Sequence, residues 1–297
     1  MAPRPHISVC VCTYKRPIFL RLLLSGIERQ ETKGLFEYSV VVVDNDKKES
    51  SRILVESFIK EFSFSIGYNV EPEQNIAKAR NKAIGNAEGD FVALIDDDEF
   101  PPSQWLLQMF KAIGQYRSDG VLGPVIPYFE KKPSRWVLKG RFFDRPEHPS
   151  GYVLGWEETR TGNALIRREV FEGGRNRFDP KFGSGGEDRD FFRRMIDKGF
   201  RFVWCREAQV YEAVTEERCK RAFMLRRALL RGQLPHFTSV DYAKSMLAIP
   251  IYTAVLPCLL FVGHHLFMKF LIKECDHIGR LLARFRIYAI KEKYLVG

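Results

Sequence analysis

Over most of this 297-residue chain, short unbroken apolar runs alternate with longer stretches in which apolar residues recur every third or fourth position. Ile7 to Cys12, Tyr38 to Val43, Ser65 to Val70 and Phe91 to Ile95 read as strands, the last apolar enough to be buried on both faces. Leu20, Leu23, Leu24 and Ile27 recur at helical spacing behind Pro17, which suits a first helical turn; Ser51 to Phe62 and Ile76 to Asn86 predict two further helices. Trp105 to Tyr116 continues as a helix, Gly120 to Ile126 and Phe202 to Cys205 as strands, and Thr161 to Arg168 as a turn entering a short strand. The alternation predicts an α/β fold, a mostly parallel sheet flanked by helices. From Tyr128 to Trp156 the periodicity dissolves into aromatic, basic and proline residues, and a loop of that length and aromatic density is predicted to cover or border a bound substrate.

In sheets of this kind ligands bind beyond the carboxyl ends of the strands. Those ends carry Thr13 to Arg16, Asp44 to Asp46 and Asp96 to Glu99, so three polar clusters are predicted on one rim. The four consecutive acids Asp96, Asp97, Asp98 and Glu99 repel one another unless a cation sits among them. A solvated acidic turn is the plain alternative. The buried strand before the acids and Pro101-Pro102 after them favour a site for a hard divalent ion, Mg²⁺ or Mn²⁺, held by one or two carboxylates and by substrate phosphates. A second acidic group, Glu187-Asp188-Arg189-Asp190, opens a helix whose apolar face is Phe191, Phe192, Met195 and Ile196. Acids there are favoured by the helix dipole alone, by about 0.3 to 1 kcal/mol each. The preceding Gly183-Ser184-Gly185-Gly186, however, lets another molecule approach the backbone closely. No glycine-rich dinucleotide fingerprint or phosphate loop follows the first strand, which argues against a nicotinamide enzyme or a P-loop NTPase.

Composition adds a division along the chain. With 45% hydrophobic and 28% charged residues, most of it is expected to be globular. The net charge of +10 is uneven: the stretch from Glu216 onward carries +8, leaving only +2 before it. So basic a C-terminal part fits an acidic surface partner, either nucleic acid or anionic lipid. The six cysteines (10, 12, 205, 219, 258 and 275) have no framework spacing and no signal peptide precedes the first strand, so free thiols in a reducing compartment are expected. Cys10 and Cys12 share one side of a strand and read as core residues, because no second Cys or His pair follows at zinc spacing.

Six pieces in order resemble the family 2 glycosyltransferases over about residues 5 to 215. They are Thr13-Tyr14-Lys15-Arg16-Pro17, Val-Val-Asp44-Asn45, Asn75-Ile76-Ala77-Lys78-Ala79-Arg80-Asn81, Asp96-Asp97-Asp98, Thr161-Gly162-Asn163 and Gly186-Glu187-Asp188. The resemblance implies a GT-A fold, a nucleotide-sugar donor, a divalent metal and glycosyl transfer with inversion. By the same analogy Thr13, Tyr14 and Arg16 line the nucleotide pocket, Asp44 bonds the base or ribose, Arg80 sits beside the nucleotide and Asp96 contacts the ribose. Asp97 and Gly162 complete the donor side, Asp98 holds the metal on the diphosphate, and Asp188 is the base that deprotonates the acceptor hydroxyl. Ala77 stands where many members have glycine. Glu212 stands where many relatives place a histidine that completes the metal shell, and a carboxylate there is a second candidate ligand for Mg²⁺ or Mn²⁺.

The 24 residues from Ser245 to Met268 carry no formal charge and as a helix are ~36 Å long, enough to span a bilayer. Pro250, Pro257 and His264-His265 disfavour a simple span. Residues 216–244 and 269–297 each carry +4, and a single span exports one of these positive flanks. A kinked hairpin or interfacial helix dipping into the cytoplasmic leaflet is therefore favoured. Leu271, Cys275, Ile278, Leu282, Phe285 and Ala289 then fall on one helical face, with Lys273, Arg280, Arg284 and Lys291 off it, as in a helix lying on an anionic bilayer; packing on the catalytic domain is the alternative. Nothing resembles a nucleic-acid module. The expectation is a GT-A catalytic domain over residues 1–215 and a helical, membrane-associated region over 216–297, peripheral or monotopic at the cytoplasmic face of the inner membrane. A UDP-sugar donor and a lipid-linked glycan acceptor in bacterial surface polysaccharide or lipopolysaccharide assembly complete that expectation. A sugar-phosphate nucleotidyltransferase and a non-catalytic, membrane-tethered nucleotide-sugar binding protein are the alternatives.

Overall fold

A computed structural model describes residues 3–62, 64–172, 176–234 and 237–290. The first half alternates as the pattern predicts: β1 (His6–Thr13), α1 (Pro17–Glu28), β2 (Glu37–Asp44), α2 (Arg52–Glu61), β3 (Ile66–Val70), α3 (Ile76–Gly85) and β4 (Phe91–Asp96). Then come β5 (Glu99–Phe100), α4 (Trp105–Gln115), β6 (Gly120–Leu122), β7 (Val125–Phe129), α5 (Arg135–Gly140), β8 (Ala164–Arg167), α6 (Glu187–Asp197), β9 (Phe202–Trp204) and β10 (Val210–Val214). The helices α7 (Arg221–Gly232), α8 (Ser239–Val262) and α9 (His264–Arg284) follow.

Seven strands form the main sheet in the order β3-β2-β1-β4-β8-β6-β9. All are mutually parallel except β8, which runs antiparallel to both β4 and β6. The register sets Thr13 beside Asp44 and Cys12 beside Asp96, so the polar ends of β1, β2 and β4 share one rim. Alternation along β1 divides the core between the two faces of the sheet: Val9 and Val11 pack with Leu20, Leu24, Ile27 and Trp105, while Cys10 and Cys12 pack on the other side with Val41, Val43 and Ala83. That second layer is rich in rings. Phe178 and Phe192 adjoin Phe191, and Phe202 adjoins Phe192, with centroids 4.6 to 5.4 Å apart, and each such buried side chain stabilises the fold by roughly 1.5–3 kcal/mol. All six cysteines are free.

Three boundaries differ from the sequence expectation. The strand predicted over Gly120 to Ile126 is divided, because Pro124 offers no backbone N–H to a ladder and Gly123 passes so close to Ala208 that a Cβ would stand 2.2 Å from its carbonyl oxygen. The pieces separate into β6 of the main sheet and β7 of a three-stranded sheet ordered β5-β10-β7. The long aromatic stretch contains a short helix, α5. The uncharged run from Ser245 to Met268 is likewise divided: the backbone is extended at Gly263, so the run falls partly in α8 and partly in α9.

The chain forms two compact units, one of Met1–Ile126, Arg145–Gly183 and Glu187–Ala213, the other of Pro127–Asp144, Ser184–Gly186 and Val214–Gly297. In the second unit α8 and α9 lie antiparallel. Ser245 Oγ is 2.9 Å from His277 Nδ1, Arg280 Nη1 donates to Ser245 Oγ at 3.2 Å, and the Thr253 hydroxyl donates to Glu274. Meanwhile Leu247, Ile251, Phe261 and Val262 of α8 are exposed, Phe261 to 92%. Polar side chains thus join the pair, and an apolar face points away from it. The helix expected to lie on a bilayer, α9, is instead packed between α7 and α8, which leaves α8 with the exposed apolar face; Lys291 lies outside the described residues.

The α7–α9 crossing depends on two glycines. A Cβ on Gly232 would stand 2.2 Å from the Asp276 carbonyl oxygen, and one on Gly279 would stand 2.3 Å from that of Leu229. Gly279→Ala gains about 1 kcal/mol of helix propensity, but backbone cannot yield to the new methyl as a side-chain tip does, and overpacking of this kind costs about 1–3 kcal/mol. The expected outcome is a net loss of stability in calorimetry of the full chain. Gly114→Ala in α4, where nothing lies within 4 Å, should show none.

Candidate active site

The end of β1 and the acidic turn after β4 are joined directly. Thr13 Oγ1 donates to Asp97 Oδ2 at 2.8 Å, and Arg16 Nη1 reaches Asp97 Oδ1 at 3.3 Å and Asp98 Oδ2 at 3.1 Å. Burial pushes the Asp97 carboxyl up, and the Arg16 charge and the Thr13 hydroxyl oppose that shift. Tyr14 follows Thr13 at the same strand end, its ring 4.9 Å from the Lys15 ammonium. Asp44, at the end of β2, is fully buried. It accepts from the backbone N–H groups of Asp46 at 3.0 Å and Ser51 at 2.8 Å, and from the Tyr68 hydroxyl at 3.0 Å. Desolvation raises its pKa, and those three donors work against the rise. Asp44 thereby closes the turn into α2.

Arg80, in α3, spans the centre of the rim. Only 8% exposed, it donates through Nη2 to Asp96 Oδ1 at 3.0 Å and through Nη1 to Glu187 Oε1, which is itself buried at the first turn of α6. One guanidinium therefore ties the acidic end of β4 to the acidic start of α6. Asp188 follows Glu187 and is half-buried, its Oδ1 accepting the N–H of Arg189 at 2.8 Å. By sequence Glu187 is the second choice, after Asp188, for the base, the preference resting on motif position only; its pairing with Arg80 is not read there. Its signal was present in the motif Gly186-Glu187-Asp188, but its partner lies 107 residues away.

The metal candidates Asp98 and Glu212 come together through the small sheet. Glu212 of β10 pairs in register with Glu99 of β5, and the Ala213 N–H donates to the Asp98 carbonyl at 2.8 Å. Each carboxylate also meets an arginine, Asp98 with Arg16 and Glu212 with Arg145. Among the described residues no group of three or more His, Cys, Asp or Glu side chains is arranged to hold an ion. Glu99, 1% exposed, accepts the Asp96 N–H at 3.1 Å. Desolvation, and then the negative charges of Asp96, Glu212 and Asp98, raise its pKa well above the ordinary value, with Arg145 opposing them.

Gly162 stands against this cluster: a Cβ there would lie 2.6 Å from Glu99 Oε1 and 2.9 Å from Asp96 Oδ2. Its neighbour Asn163, at φ +76°, is an internal brace. It accepts from the Trp105 indole at 2.7 Å and donates to the carbonyls of Pro124 at 2.9 Å and Ala208 at 2.8 Å. Three other motif asparagines act likewise. Asn45 holds the carbonyls of Glu71 and Glu73, Asn75 caps α3 through the Lys78 N–H, and Asn81 exchanges two hydrogen bonds with the Phe178 backbone. The sequence reading used these residues as motif markers and missed that they carry the loops.

With this geometry established, the chain was compared with known proteins. A sequence model described as Glycosyl transferase family 2 matches residues 8–175. The succinoglycan biosynthesis protein ExoM of Rhizobium meliloti is 37% identical over 232 residues, covering 77% of this chain and 73% of its own. A Campylobacter jejuni relative named GalNAc(5)-diNAcBac-PP-undecaprenol beta-1,3-glucosyltransferase is 26% identical over 100 residues, 32% of this chain and 30% of that one. Among solved structures, S. aureus TarS 1-349 in complex with UDP-GlcNAc aligns with a TM-score of 0.55 at 16% identity, covering 96% of this chain and 93% of that chain. The longer TarS structure is covered to 55%. The likeness shows the GT-A arrangement of the sheet and its helices.

Two outcomes follow for the buried polar groups. Asn163→Ala removes three side-chain hydrogen bonds, taking the Asn163 partner from the Trp105 indole N–H and from the Ala208 carbonyl, while the Pro124 carbonyl keeps the Val210 N–H at 3.0 Å, so unfolding in denaturant should show a loss of about 2–4 kcal/mol. Because Glu99 holds its proton more tightly folded than unfolded, its contribution is complete below the ordinary glutamate value of 4.5 and is lost as pH rises through the raised folded value. Glu99→Gln should therefore gain stability relative to the natural protein as pH rises above 4.5; a difference in melting temperature that does not change with pH would contradict the assignment.

Proposed function

The chain belongs to glycosyl transferase family 2, and on that premise we propose that it moves one sugar, with inversion, from a UDP-sugar to a hydroxyl of a lipid-linked saccharide during assembly of a bacterial surface polysaccharide. The observation that carries this reading is the Arg80 bridge, which holds Asp96 on the donor side of the rim and Glu187, next to Asp188, within reach of one guanidinium. Inversion requires a base on the face of the sugar opposite the leaving group, and a bridge of this kind fixes such a pair of positions.

In this reading Thr13, Tyr14, Arg16 and Asp44 seat the nucleotide, and Asp96, Asp97 and Gly162 border the ribose and diphosphate. Arg16 and Arg80 face the phosphates, whose charge grows as the glycosidic bond breaks. Asp188 takes the proton of the attacking hydroxyl. The acids of the rim suit a divalent cation: Asp96, Asp97, Asp98, Glu99, Glu187 and Glu212 outnumber Arg16, Arg80 and Arg145. Asp98, with Glu212 beside it, would hold Mg²⁺ or Mn²⁺, which when bound neutralises diphosphate charge. So small a donor set fits an ion that takes most of its ligands from phosphate and water.

The UDP-GlcNAc complex of TarS supports a uridine donor, the ExoM likeness supports polysaccharide assembly, and the undecaprenol in the Campylobacter relative's name supports a lipid carrier. The exposed apolar face of α8 and the +8 charge from Glu216 onward support attachment at the cytoplasmic membrane surface. The test is a pair of substitutions. Asp188→Asn should retain UDP-sugar binding by calorimetry and lose transfer by about 10²–10⁴-fold, whereas Asp98→Ala should weaken donor binding only when Mn²⁺ is present. Undiminished transfer by Asp188→Asn would overturn the assignment of the base.

A further inference from the structure

The small three-stranded sheet sets two buried carboxylates opposite each other. Glu99 of β5 and Glu212 of β10 face each other across an antiparallel pair, and both are almost wholly removed from water. Like charges placed across two strands repel, and more strongly where water is excluded. A cation beside them is therefore needed, and Arg145 is the one that arrives: its Nη2 lies 2.5 Å from Glu212 Oε2.

The two partners of this ion pair are held differently. Glu212 stands on a strand whose ladder fixes it, and the N–H of the next residue, Ala213, donates to the Asp98 carbonyl at 2.8 Å. Arg145 stands in irregular backbone just ahead of Pro146, and among the described residues its side chain pairs with Glu212 alone. Arg16 differs from it in spanning Asp97 and Asp98, so that it keeps one partner on losing the other. Arg145 is also crowded by a second cation. Arg160, which reaches solvent, lies within electrostatic range of it; loss of hydration, and then the Arg145 charge, lower the Arg160 pKa. Arg145 is thus drawn to Glu212 and pushed by Arg160.

That balance bears on the divalent ion. Glu212 is a candidate ligand beside Asp98, so Arg145 and the ion compete for one carboxylate. A guanidinium displaced from Glu212 cannot shed its proton and needs another acceptor. The oxygens of a diphosphate match its paired donors. We propose that Arg145 is a resident counter-cation at Glu212, a positioning residue that yields this carboxylate to a divalent ion when a nucleoside diphosphate is there to take its guanidinium. The inference rests on the glycosyltransferase reading and adds a coupling to it. Ion and donor each raise the affinity of the other by the same factor, and part of that factor belongs to one arginine. Without the donor, the acids stay neutralised by the protein's own cations and the ion is held weakly.

The test is Mn²⁺ binding to the full chain, followed by electron paramagnetic resonance with and without UDP, the Mn²⁺ held by UDP in solution being subtracted. The natural protein should bind Mn²⁺ about tenfold or more weakly without UDP than with it. Arg145→Met should bind Mn²⁺ about tenfold more tightly than the natural protein when UDP is absent, and the gain from UDP should shrink by a similar factor. Arg145→Lys, which restores the charge, should restore weak binding without UDP. A merely structural arginine lowers the melting temperature when replaced by methionine and leaves the Mn²⁺ affinity where it was; that result overturns the proposal. So does a natural protein whose Mn²⁺ affinity is indifferent to UDP, a measurement that needs no variant to fold. Failure of the underlying reading looks different. UDP that gives no thermal shift counts against the uridine donor, and a Mn²⁺ affinity unmoved by Glu212→Gln counts against Glu212 as a ligand; either result overturns the inference with it.

Discussion

A buried guanidinium with two carboxylates at its ends is the constraint on which the rest of the site depends. Arg80 leaves water almost entirely, which is costly for any cation, and the pairing with Asp96 and Glu187 offsets that cost. The geometry is demanding because a guanidinium is planar and its donors are fixed. Once α3 is set by the Asn75 cap and by the Asn81 exchange with Phe178, the positions of the β4 end and the α6 start follow. A lysine does not reproduce this, since its three donors share one nitrogen, whereas the guanidinium sets two nitrogens apart in a fixed plane.

The same electrostatic logic organises the neighbouring acids. Arg16 spans Asp97 and Asp98, and Arg145 meets Glu212, yet burial and then its negative neighbours raise the pKa of Glu99 well above the ordinary value. The rim is thus a graded field in which each arginine neutralises part of an acidic excess. Gly162 allows the chain to pass against that excess without a side chain in the way.

Much of this was legible in the sequence where the information is local. The period of apolar residues predicts β1 to β4 and the helices between them, because strands buried in a parallel sheet must read as unbroken apolar runs. The strand ends are also legible, since the change from apolar to polar marks where each leaves the core. The position of Asp44 on the rim follows from that alone, but its bonds to Ser51 and Tyr68 do not. Partners chosen across long separations left no periodic trace: Arg80 with Glu187, Asn163 with Trp105, Arg145 with Glu212. The division at Pro124 was visible as a residue and overlooked as a break, and α5 and α7 lie in stretches whose rings and charges obscure the period.

The pairing of α8 with α9 has a consequence for the medium in which it persists. Bonds such as Thr253 to Glu274 and Arg280 to Ser245 join the helices through groups that need partners in any surroundings, and need them more where water is scarce. These bonds add to the apolar packing between the helices, where Tyr252 meets Phe270 at 5.6 Å and Leu256 and Met268 are buried. The outward apolar side chains of the hairpin are free of structural duty. If the chain attaches to a membrane as proposed, substitutions on that outer face change how strongly it partitions between water and lipid while leaving the helices together, so that location and fold become separately adjustable properties of the same short segment.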